Sequence, residues 1–517
     1  MKLKNHTTLF LVFIATTLYA QDPNIIWQRT IGGSGSDKLW SIIETSDGGF
    51  FVGGDSDSNI SGEKDENSRG GDDYWILRLD SNGNILWQKT YGGSAEEMLW
   101  SVQQTSDGGF ILGGFSNSDI SGDKSEESQG GYDYWIIKLN SSGDIVWQNT
   151  IGGSGDDNIK SIIETNDEGF LLGGNSTSPI SGDRTVFQNG SRDLWLIKLD
   201  STGAIVWQKA FGHNQVTITG LAKTNDGGFI LSSTIFGITG THDAFWVLKI
   251  DAFGNYIWDK IIQGDNSDWF PKISSTQDGG YIMAGASDSD AFGDKSENSQ
   301  GSFDYWVLKL DENGDITWQN TIGGSEAEQP DSIIQSVDGG YLVSGYSSSN
   351  ISGDKTEPSN NGDYWIIKLN NIGIIEWQNT IGGGNSDARA RTIQTSDENY
   401  VIGGYSSSNI SGDKTENSRG NYDFWIIKHA QILGLDENSL FSNTTLYPNP
   451  AKNTLQLNAE NQQIDRVKIF SVKGDLVQQV EGFETSKTID VSKLASGMYY
   501  VQFMAGRQIA TKKFVKQ

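Results

Sequence analysis

Cysteine is absent from this 517-residue chain, and histidine occurs only four times. The absence of cysteine excludes disulfide bonds, thiolate metal ligands and a cysteine nucleophile. With so few histidines, we expect neither a histidine-rich metal site nor a histidine-based triad. The 66 acidic residues against 38 basic residues give a net charge of −28. This balance excludes nucleic acid as the main partner, because phosphate binding needs basic patches.

Long apolar runs are also missing, apart from one short run near the N-terminus. Lys2 and Lys4 precede the apolar segment Leu9–Ala15, and the small residue Ala20 follows. This order is typical of a secretory signal peptide, here residues 1–20. A membrane anchor is the alternative, but the run is far shorter than the roughly 20 residues that span a bilayer. We therefore expect an exported protein with no transmembrane segment.

Tryptophan and glycine are abundant, with 17 and 64 residues. Fourteen tryptophans form two series in which most steps are 60 residues, with a step of 51 where one repeat is shortened. The first series is Trp27, Trp87, Trp147, Trp207, Trp258, Trp318 and Trp377, and the second is Trp75, Trp135, Trp195, Trp246, Trp306, Trp365 and Trp425. Six members of the first series are followed by Gln. A repeat of this length predicts an array of identical structural units.

Each repeat predicts four short strands, A to D, and no helix. In residues 98–153, strand A is Ser101–Thr105, strand B is Phe110–Gly113, strand C is Tyr134–Leu139 and strand D is Asp144–Gln148. An Asp-Gly hairpin signal joins A to B, and a glycine turn joins C to D. Four short strands repeated in this way favour an all-β fold, the β-propeller, whose blades are four-stranded sheets.

The phase of the repeat predicts how the ring closes. The chain begins with a D strand, Ile25–Thr30, and its last repeat ends with a C strand, Tyr422–Lys428. If the first D strand pairs with the last C strand, the ring closes and two exposed sheet edges disappear. We therefore expect a seven-bladed β-propeller over residues 21–429.

The segment between strands C and D, Leu79-Asp-Ser-Asn-Gly83-Asn-Ile-Leu-Trp87-Gln, resembles the repeat of quinoprotein-like propellers. In that family a tryptophan at the end of the outer strand docks on the neighbouring blade. The resemblance covers residues 25–428 and implies the fold rather than an activity.

The repeat stops after Lys428, and a polar linker, residues 430–445, leads to a different C-terminal segment. Residues 446–517 contain alternating short strands that predict a small β-sandwich. Tyr447-Pro-Asn-Pro450, Ser496-Gly-Met-Tyr-Tyr-Val501 and the basic end Lys512-Lys-Phe-Val-Lys516 resemble the type A sorting domain of type IX secretion substrates. The resemblance implies export through the outer membrane by the type IX machinery, removal of the domain, and release or covalent attachment to surface lipopolysaccharide. The expected location is extracellular or on the outer cell surface.

Six carboxylates recur just before strand A and are our candidate binding residues. They are Asp37, Glu97, Asp157, Asp268, Glu328 and Asp387, with Thr217 in the matching place of the remaining blade. Because strand A is innermost in a propeller, the six acids are expected to ring the mouth of the central channel. Like charges held close together raise pKa values or attract a cation. We therefore hypothesise a site for a cation or a basic ligand, while solvated loop acids are the simpler interpretation.

The loops between strands B and C are near copies of one another, for example Ser58-Asn-Ile-Ser-Gly-Glu-Lys64. In the first copy, Asp55, Asp57 and Asn59 resemble the start of a calcium loop, so calcium is a candidate cofactor. The alternative is a loop folded by Asp, Ser and Asn turn hydrogen bonds and a Lys–Glu pair. We expect the D–A and B–C loops to be long and to share one face, and the function to lie on that face.

Three tryptophans, Trp40, Trp100 and Trp269, lie outside the two series and are candidates for stacking on sugars. The leading hypothesis is a secreted or cell-surface propeller that binds or adheres to a glycan or a protein, without enzymatic activity. Near-identical blades favour it, because a catalytic centre normally needs unlike residues from unlike blades. The alternatives are a carboxylate-dependent polysaccharide-degrading enzyme with two rim acids as acid and base, and a purely structural surface-layer component.

Overall fold

The computed structural model describes residues 24–237, 242–430, 444–459, 463–471, 476–483, 486–505 and 508–517. The predicted signal peptide and most of the predicted linker therefore lie outside the described residues. The chain divides into two compact units, residues 1–431 and residues 432–517, and every regular element in the described ranges is a β-strand. In these ranges no helix is long and apolar enough to cross a membrane.

The first unit consists of seven four-stranded antiparallel sheets, which we call blades 1 to 7. Blade 1 is β2 (Asp37–Glu44), β3 (Phe50–Ser56), β4 (Asp73–Leu79) and β5 (Ile85–Tyr91). Blade 2 is β6 (Glu97–Gln104), β7 (Phe110–Ser116), β8 (Asp133–Leu139) and β9 (Ile145–Ile151). Blade 3 is β10 (Asp157–Glu164), β11 (Phe170–Ser176), β12 (Asp193–Leu199) and β13 (Ile205–Phe211). Blade 4 is β14 (Val216–Lys223), β15 (Phe229–Ile235), β16 (Ala244–Ile250) and β17 (Tyr256–Ile262).

The remaining blades repeat this pattern. Blade 5 is β18 (Asp268–Ser275), β19 (Tyr281–Ser287), β20 (Asp304–Leu310) and β21 (Ile316–Ile322). Blade 6 is β22 (Glu328–Gln335), β23 (Tyr341–Ser347), β24 (Asp363–Leu369) and β25 (Ile375–Ile381). Blade 7 is β26 (Asp387–Gln394), β27 (Tyr400–Ser406), β28 (Asp423–His429) and β1 (Ile25–Ile31). The predicted all-β, seven-bladed propeller is confirmed.

Ring closure occurs as the phase of the repeat predicts. The N-terminal strand β1 pairs antiparallel with β28, with Ile31 opposite Phe424 and Trp27 opposite Lys428. The side-chain oxygen of Gln28 also accepts a hydrogen bond of 3.1 Å from the indole N–H of Trp425. Blade 7 is therefore built from both ends of the propeller sequence.

The first strand of each blade lies next to the first strands of both neighbouring blades, so these strands surround the central axis. The loop hypothesis needs one correction. Only the B–C loops are long, for example residues 57–72, whereas the D–A loop at residues 32–36 is as short as the A–B turn at residues 45–49.

The two tryptophan series have separate structural roles. Trp75 is fully buried, and its indole N–H donates a 2.9 Å hydrogen bond to Gln88, the residue that follows Trp87. Where Gln is replaced by Asp259, that carboxylate accepts the equivalent bond from Trp246 at 2.8 Å. The tryptophans of the first series dock on the next blade. The indole N–H of Trp27 in blade 7, for example, donates a 3.2 Å hydrogen bond to the carbonyl of Ser81 in blade 1. The prediction of blade-docking tryptophans is confirmed.

This pairing predicts the effect of removing the glutamine. Gln148 accepts the indole N–H of Trp135 at 3.0 Å and donates to the carbonyl of Asp123 at 2.7 Å. We expect Gln148→Leu to lower the free energy of unfolding by about 1–3 kcal/mol, because a buried donor loses its partner. Urea denaturation followed by tryptophan fluorescence measures this change. Gln148→Glu keeps an acceptor oxygen and is the control, so an equal loss in both variants would contradict this role of the bond.

The second unit is a small β-sandwich, as predicted. Its strands are β29 (Thr444–Tyr447), β30 (Thr454–Ala459), β31 (Ile464–Ser471), β32 (Leu476–Phe483), β33 (Ser486–Asp490), β34 (Gly497–Ala505) and β35 (Gln508–Lys516). They form a three-stranded sheet, β29-β30-β33, and a four-stranded sheet, β32-β31-β34-β35. Buried Leu455, Val467 and Phe503 belong to the core of this unit.

Candidate functional site

The six predicted acids occupy the first position of the first strand in six blades, and their side chains are fully buried. They are therefore not the solvated loop acids of the simpler interpretation. In every case one carboxylate oxygen accepts the backbone N–H of the residue four positions earlier, at 2.6 to 2.8 Å. In blade 4 the equivalent position is held by buried Val216 rather than by Thr217, because its D–A loop is one residue shorter.

These acids connect the D–A loop to the B–C loop of the same blade. Asp37 accepts hydrogen bonds from the hydroxyls of Ser56 and Ser58, the latter at 3.0 Å, and from the N–H of Gly33. Ser61 reinforces the connection by accepting the N–H of Ser34 at 2.8 Å. The two loops therefore share one face of the propeller, as predicted, and we call it the loop face.

A second row of buried aspartates, which the sequence analysis missed, lies beside the first. Its members occupy the first position of the third strand: Asp73, Asp133, Asp193, Asp304, Asp363 and Asp423. Each accepts a backbone N–H from three or four residues earlier, at 2.5 to 2.8 Å. In each, the other carboxylate oxygen is buried without a hydrogen-bond partner. In the sequence, the only sign of this second row is an aspartate directly before each predicted strand C, which is rich in Tyr, Trp and Ile.

Five of these aspartates interact electrostatically with the buried acid of the following blade. Burial first, and then the neighbouring carboxylate, raise the pKa of Asp73 to about 6 beside Glu97 and that of Asp363 to about 7 beside Asp387. Burial likewise raises the pKa of Asp268 to about 6. Burial, rather than mutual repulsion around a ring, is the main cause.

The hypothesis that the six acids bind a cation remains a prediction. Among the residues that the structure describes, no group of three or more His, Asp or Glu is placed to hold a metal ion. The buried carboxylate of Asp55, near the end of β3, accepts a hydrogen bond from the indole of Trp40. Asp57, at the start of the B–C loop, accepts the N–H of Ser36 at 2.5 Å. Both side chains thus have roles in folding. Burial raises the pKa of Asp55 to about 8.

In the first B–C loop the two glutamates beside Lys64 pair with other cations, Glu63 with Arg419 and Glu66 with Lys89. Lys64 is buried, its ammonium lies 4.9 Å from the centre of the Trp75 ring, and it donates to the hydroxyl of Thr90 at 2.7 Å. Arg184 takes this position in blade 3 and forms a fully buried ion pair of 2.7 Å with Asp193. The repeated cation is therefore a core residue.

The three tryptophans outside the series are unsuited to stacking on sugars, because other side chains already cover their rings. Trp40 and Trp100 pack together with ring centres 4.5 Å apart, and the ammonium of Lys160 lies 3.3 Å from the centre of the Trp100 ring. Trp269 stacks on Phe303, also at 4.5 Å.

Each first strand contains a β-bulge, and the bulged residues differ from blade to blade. The unpaired positions, from blade 1 to blade 7, hold Trp40, Trp100, Lys160, Thr219, Phe270 with Pro271, Asp331, and Arg389 with Ala390. Because the first strands surround the axis, the bulges form an inner belt of the channel. Unlike residues from unlike blades therefore converge here, which a search for repeated motifs overlooks.

The C-terminal segment matches a family model described as the secretion system C-terminal sorting domain, over residues 445–517. The protein is thus a seven-bladed β-propeller that carries a secretion sorting domain. A protein with a type IX sorting domain is secreted or attached to the cell surface.

Comparison with solved structures finds matches of low sequence identity. A protein of unknown function from Dyadobacter fermentans is 10% identical, with a TM-score of 0.40, covering 79% of this chain and 99% of that one. Sqt1 from Chaetomium thermophilum, bound to the N-terminus of ribosomal protein L10, is 10% identical, with a TM-score of 0.43 and coverages of 79% and 100%. The NanB sialidase from Streptococcus pneumoniae is 11% identical, with a TM-score of 0.39 and coverages of 81% and 72%. No curated protein matches.

Proposed function

We propose that this protein is a secreted or surface-attached binding module that contacts its partner through the loop face. The observation that supports the proposal is an exposed apolar side chain at the tip of the B–C loop in six blades. These residues are Ile60, Ile120, Ile180, Phe292, Ile351 and Ile410, each 50% to 65% exposed. Apolar groups repeated around one face mark an interaction surface when they are held in place.

The loop tips are held rigidly. In blade 1 the N–H of Ile60 donates to the side chain of Asn67 at 3.0 Å, and Ser61 pairs with Lys64 through two backbone hydrogen bonds. The following Gly62 has φ +56°, which glycine adopts without strain. Little conformational entropy is therefore lost when a partner covers these tips.

The chemistry of the tips favours a protein partner over a glycan. Five of the six tips are aliphatic, whereas sugar rings are usually held on aromatic faces. Several equivalent contacts on one rigid ring also allow multivalent attachment, which strengthens weak individual contacts. Adhesion to a proteinaceous surface is the role that this arrangement supports best.

Substitution of the tips tests the proposal. We expect the full chain with Ile60, Ile120, Ile351 and Ile410 replaced by Ser to lose at least about tenfold in binding on an array of purified extracellular proteins, because four apolar contacts are removed. The control replaces Ile26, Leu86, Val146 and Val206, exposed residues of the outer strands, by Thr. Equal binding by both variants would contradict the proposal. On a parallel glycan array, binding would instead favour a glycan ligand, and shortening of the glycan chains would favour the enzymatic alternative.

A further inference from the structure

The inner belt of bulges carries an excess of positive charge in a protein whose net charge is −28. Lys160 occupies the bulge of blade 3, and Arg389 occupies that of blade 7. Lys272 and Arg391 stand directly after the bulges of blades 5 and 7. We call Lys160, Lys272, Arg389 and Arg391 the central cation cluster. The only carboxylate at a bulge is Asp331.

The four cations come from the first strands of blades 3, 5 and 7, which surround the central axis. Blades 3, 5 and 7 are not neighbours in the ring, yet the positive charges of Lys272, Arg389 and Arg391 act on Lys160. Arg192, before the third strand of blade 3, adds a further positive charge. Side chains from non-adjacent blades interact in this way only when they project toward the axis.

Contacts between blades hold the cluster in place. The guanidinium of Arg389 forms a 2.8 Å ion pair with Asp331 and lies 5.5 Å from the centre of the Trp40 ring. The ammonium of Lys272 donates to the carbonyl of Thr219 at 3.3 Å. The side chain of Lys160 lies against the Trp100 ring, and the indole N–H of Trp100 is buried without a hydrogen-bond partner.

The charge of the cluster is largely uncompensated. Asp331 forms an ion pair with Arg389, while among the described residues neither Lys160, Lys272 nor Arg391 has a carboxylate within ion-pair distance. Burial and the surrounding cations lower the pKa of both Lys160 and Lys272 to about 7. All four side chains nevertheless remain partly exposed to solvent.

The backbone of the belt is also under strain at two of these places. Phe270 has φ +54° and Arg389 has φ +66°, and both lie in two-residue bulges rather than in turns. A left-handed conformation at a residue other than glycine is unfavourable, and such residues are concentrated at functional sites. In blade 7 the residue in this conformation is Arg389, a member of the central cation cluster.

We infer that the central channel binds an oxyanion, which is held by the central cation cluster and aligned by the guanidinium groups of Arg389 and Arg391. Guanidinium forks suit the planar or tetrahedral oxygens of carboxylate, sulfate and phosphate. Bound anion supplies the negative charge that the cluster lacks. This site is separate from the apolar tips of the loop face and does not depend on them.

Calorimetry and thermal unfolding of the full chain with sodium sulfate test the inference, with sodium chloride keeping the ionic strength constant. We expect one sulfate per chain and a binding heat at pH 7.5 that changes with the ionisation enthalpy of the buffer, because a bound anion makes the lysines take up protons. Sodium glucuronate in a parallel titration distinguishes the carboxylate of an acidic sugar from an inorganic anion as the source of the oxyanion.

Two variants separate binding from general salt effects. Lys160→Gln should weaken sulfate binding about tenfold or more, because it removes a charged hydrogen-bond donor. It should also raise the melting temperature in chloride, because repulsion between the cations is relieved. Lys223→Gln, at an exposed position at the end of β14, removes the same charge and should leave both values unchanged. The inference is overturned if neither anion gives a saturable heat, or if the two variants respond equally.

Discussion

The propeller is expected to become less stable as the pH rises from 5 to 7.5. The pKa values of Asp73 and Asp304 are raised to about 6, and that of Asp363 to about 7, by burial and by neighbouring carboxylates. A raised pKa means that the folded state favours the protonated acid. Each acid therefore stabilises the fold fully below about pH 4, and this stabilisation is lost as the pH rises through 6 to 7. Each of these groups should account for about 1–3 kcal/mol over this range, at 1.36 kcal/mol per pKa unit.

Asp363→Asn is the sharpest test, because the amide resembles a protonated carboxyl group. The variant should unfold at a higher urea concentration than the wild type at pH 7.5, and the difference should be clearly smaller at pH 5. Tryptophan fluorescence reports the propeller alone, since all 17 tryptophans precede residue 430. Asp65→Asn, at an exposed loop position, is the control. The channel lysines titrate in the same range with the opposite sign, so the difference between variants, rather than the slope of the wild type, decides the outcome.

Removal of the closing strand β1 should have the largest effect on the fold. A chain that begins after Ile31 loses the ladder to β28 and the partner of the Trp425 indole. It also loses Trp27 and the buried Ile31. Loss of one buried large side chain alone costs about 2–5 kcal/mol, so we expect partial unfolding at room temperature and association through the open edge of β28.

A synthetic peptide of residues 24–31 provides the control for this truncation. Added in excess, it should restore the melting temperature and the monomeric state, as measured by thermal unfolding and light scattering, whereas a scrambled peptide should restore neither. A truncated chain that is as stable as the full chain would show that β1 does not close the ring.

The number of blades and their closure could be predicted because both depend on local, repeated chemistry. Short apolar runs such as β4 define the strands, and glycine turns such as Gly83, with φ +76°, separate them. The first strands were predicted too short, as Ser101–Thr105 instead of Glu97–Gln104, because the bulge at Trp100 interrupts the alternation. A bulge shifts the following residues to the other face, which a pattern search interprets as the end of a strand.

The features of the site were harder to predict for two different reasons. Spacing placed Asp37 and its counterparts at the start of strand A but did not reveal that serines of the B–C loop cover them, because this contact joins residues about 20 positions apart. The central cation cluster was missed because its members differ between blades. A comparison of repeats emphasises what the blades share, whereas Lys160, Lys272 and Arg391 stand where they differ.

Closure by the N-terminal strand also determines when the propeller can be completed during synthesis. β1 is among the first parts of the chain to be made, but its partner β28 follows almost 400 residues later. Until then β1 has no strand to pair with, and the cost of bringing such distant segments together must be met before the ladder forms. The blades between them can assemble in sequence, but the last sheet forms only when little more than the sorting segment remains to be made. The complete ring is therefore the final product of folding, and any event that holds the two ends of the propeller apart leaves it open.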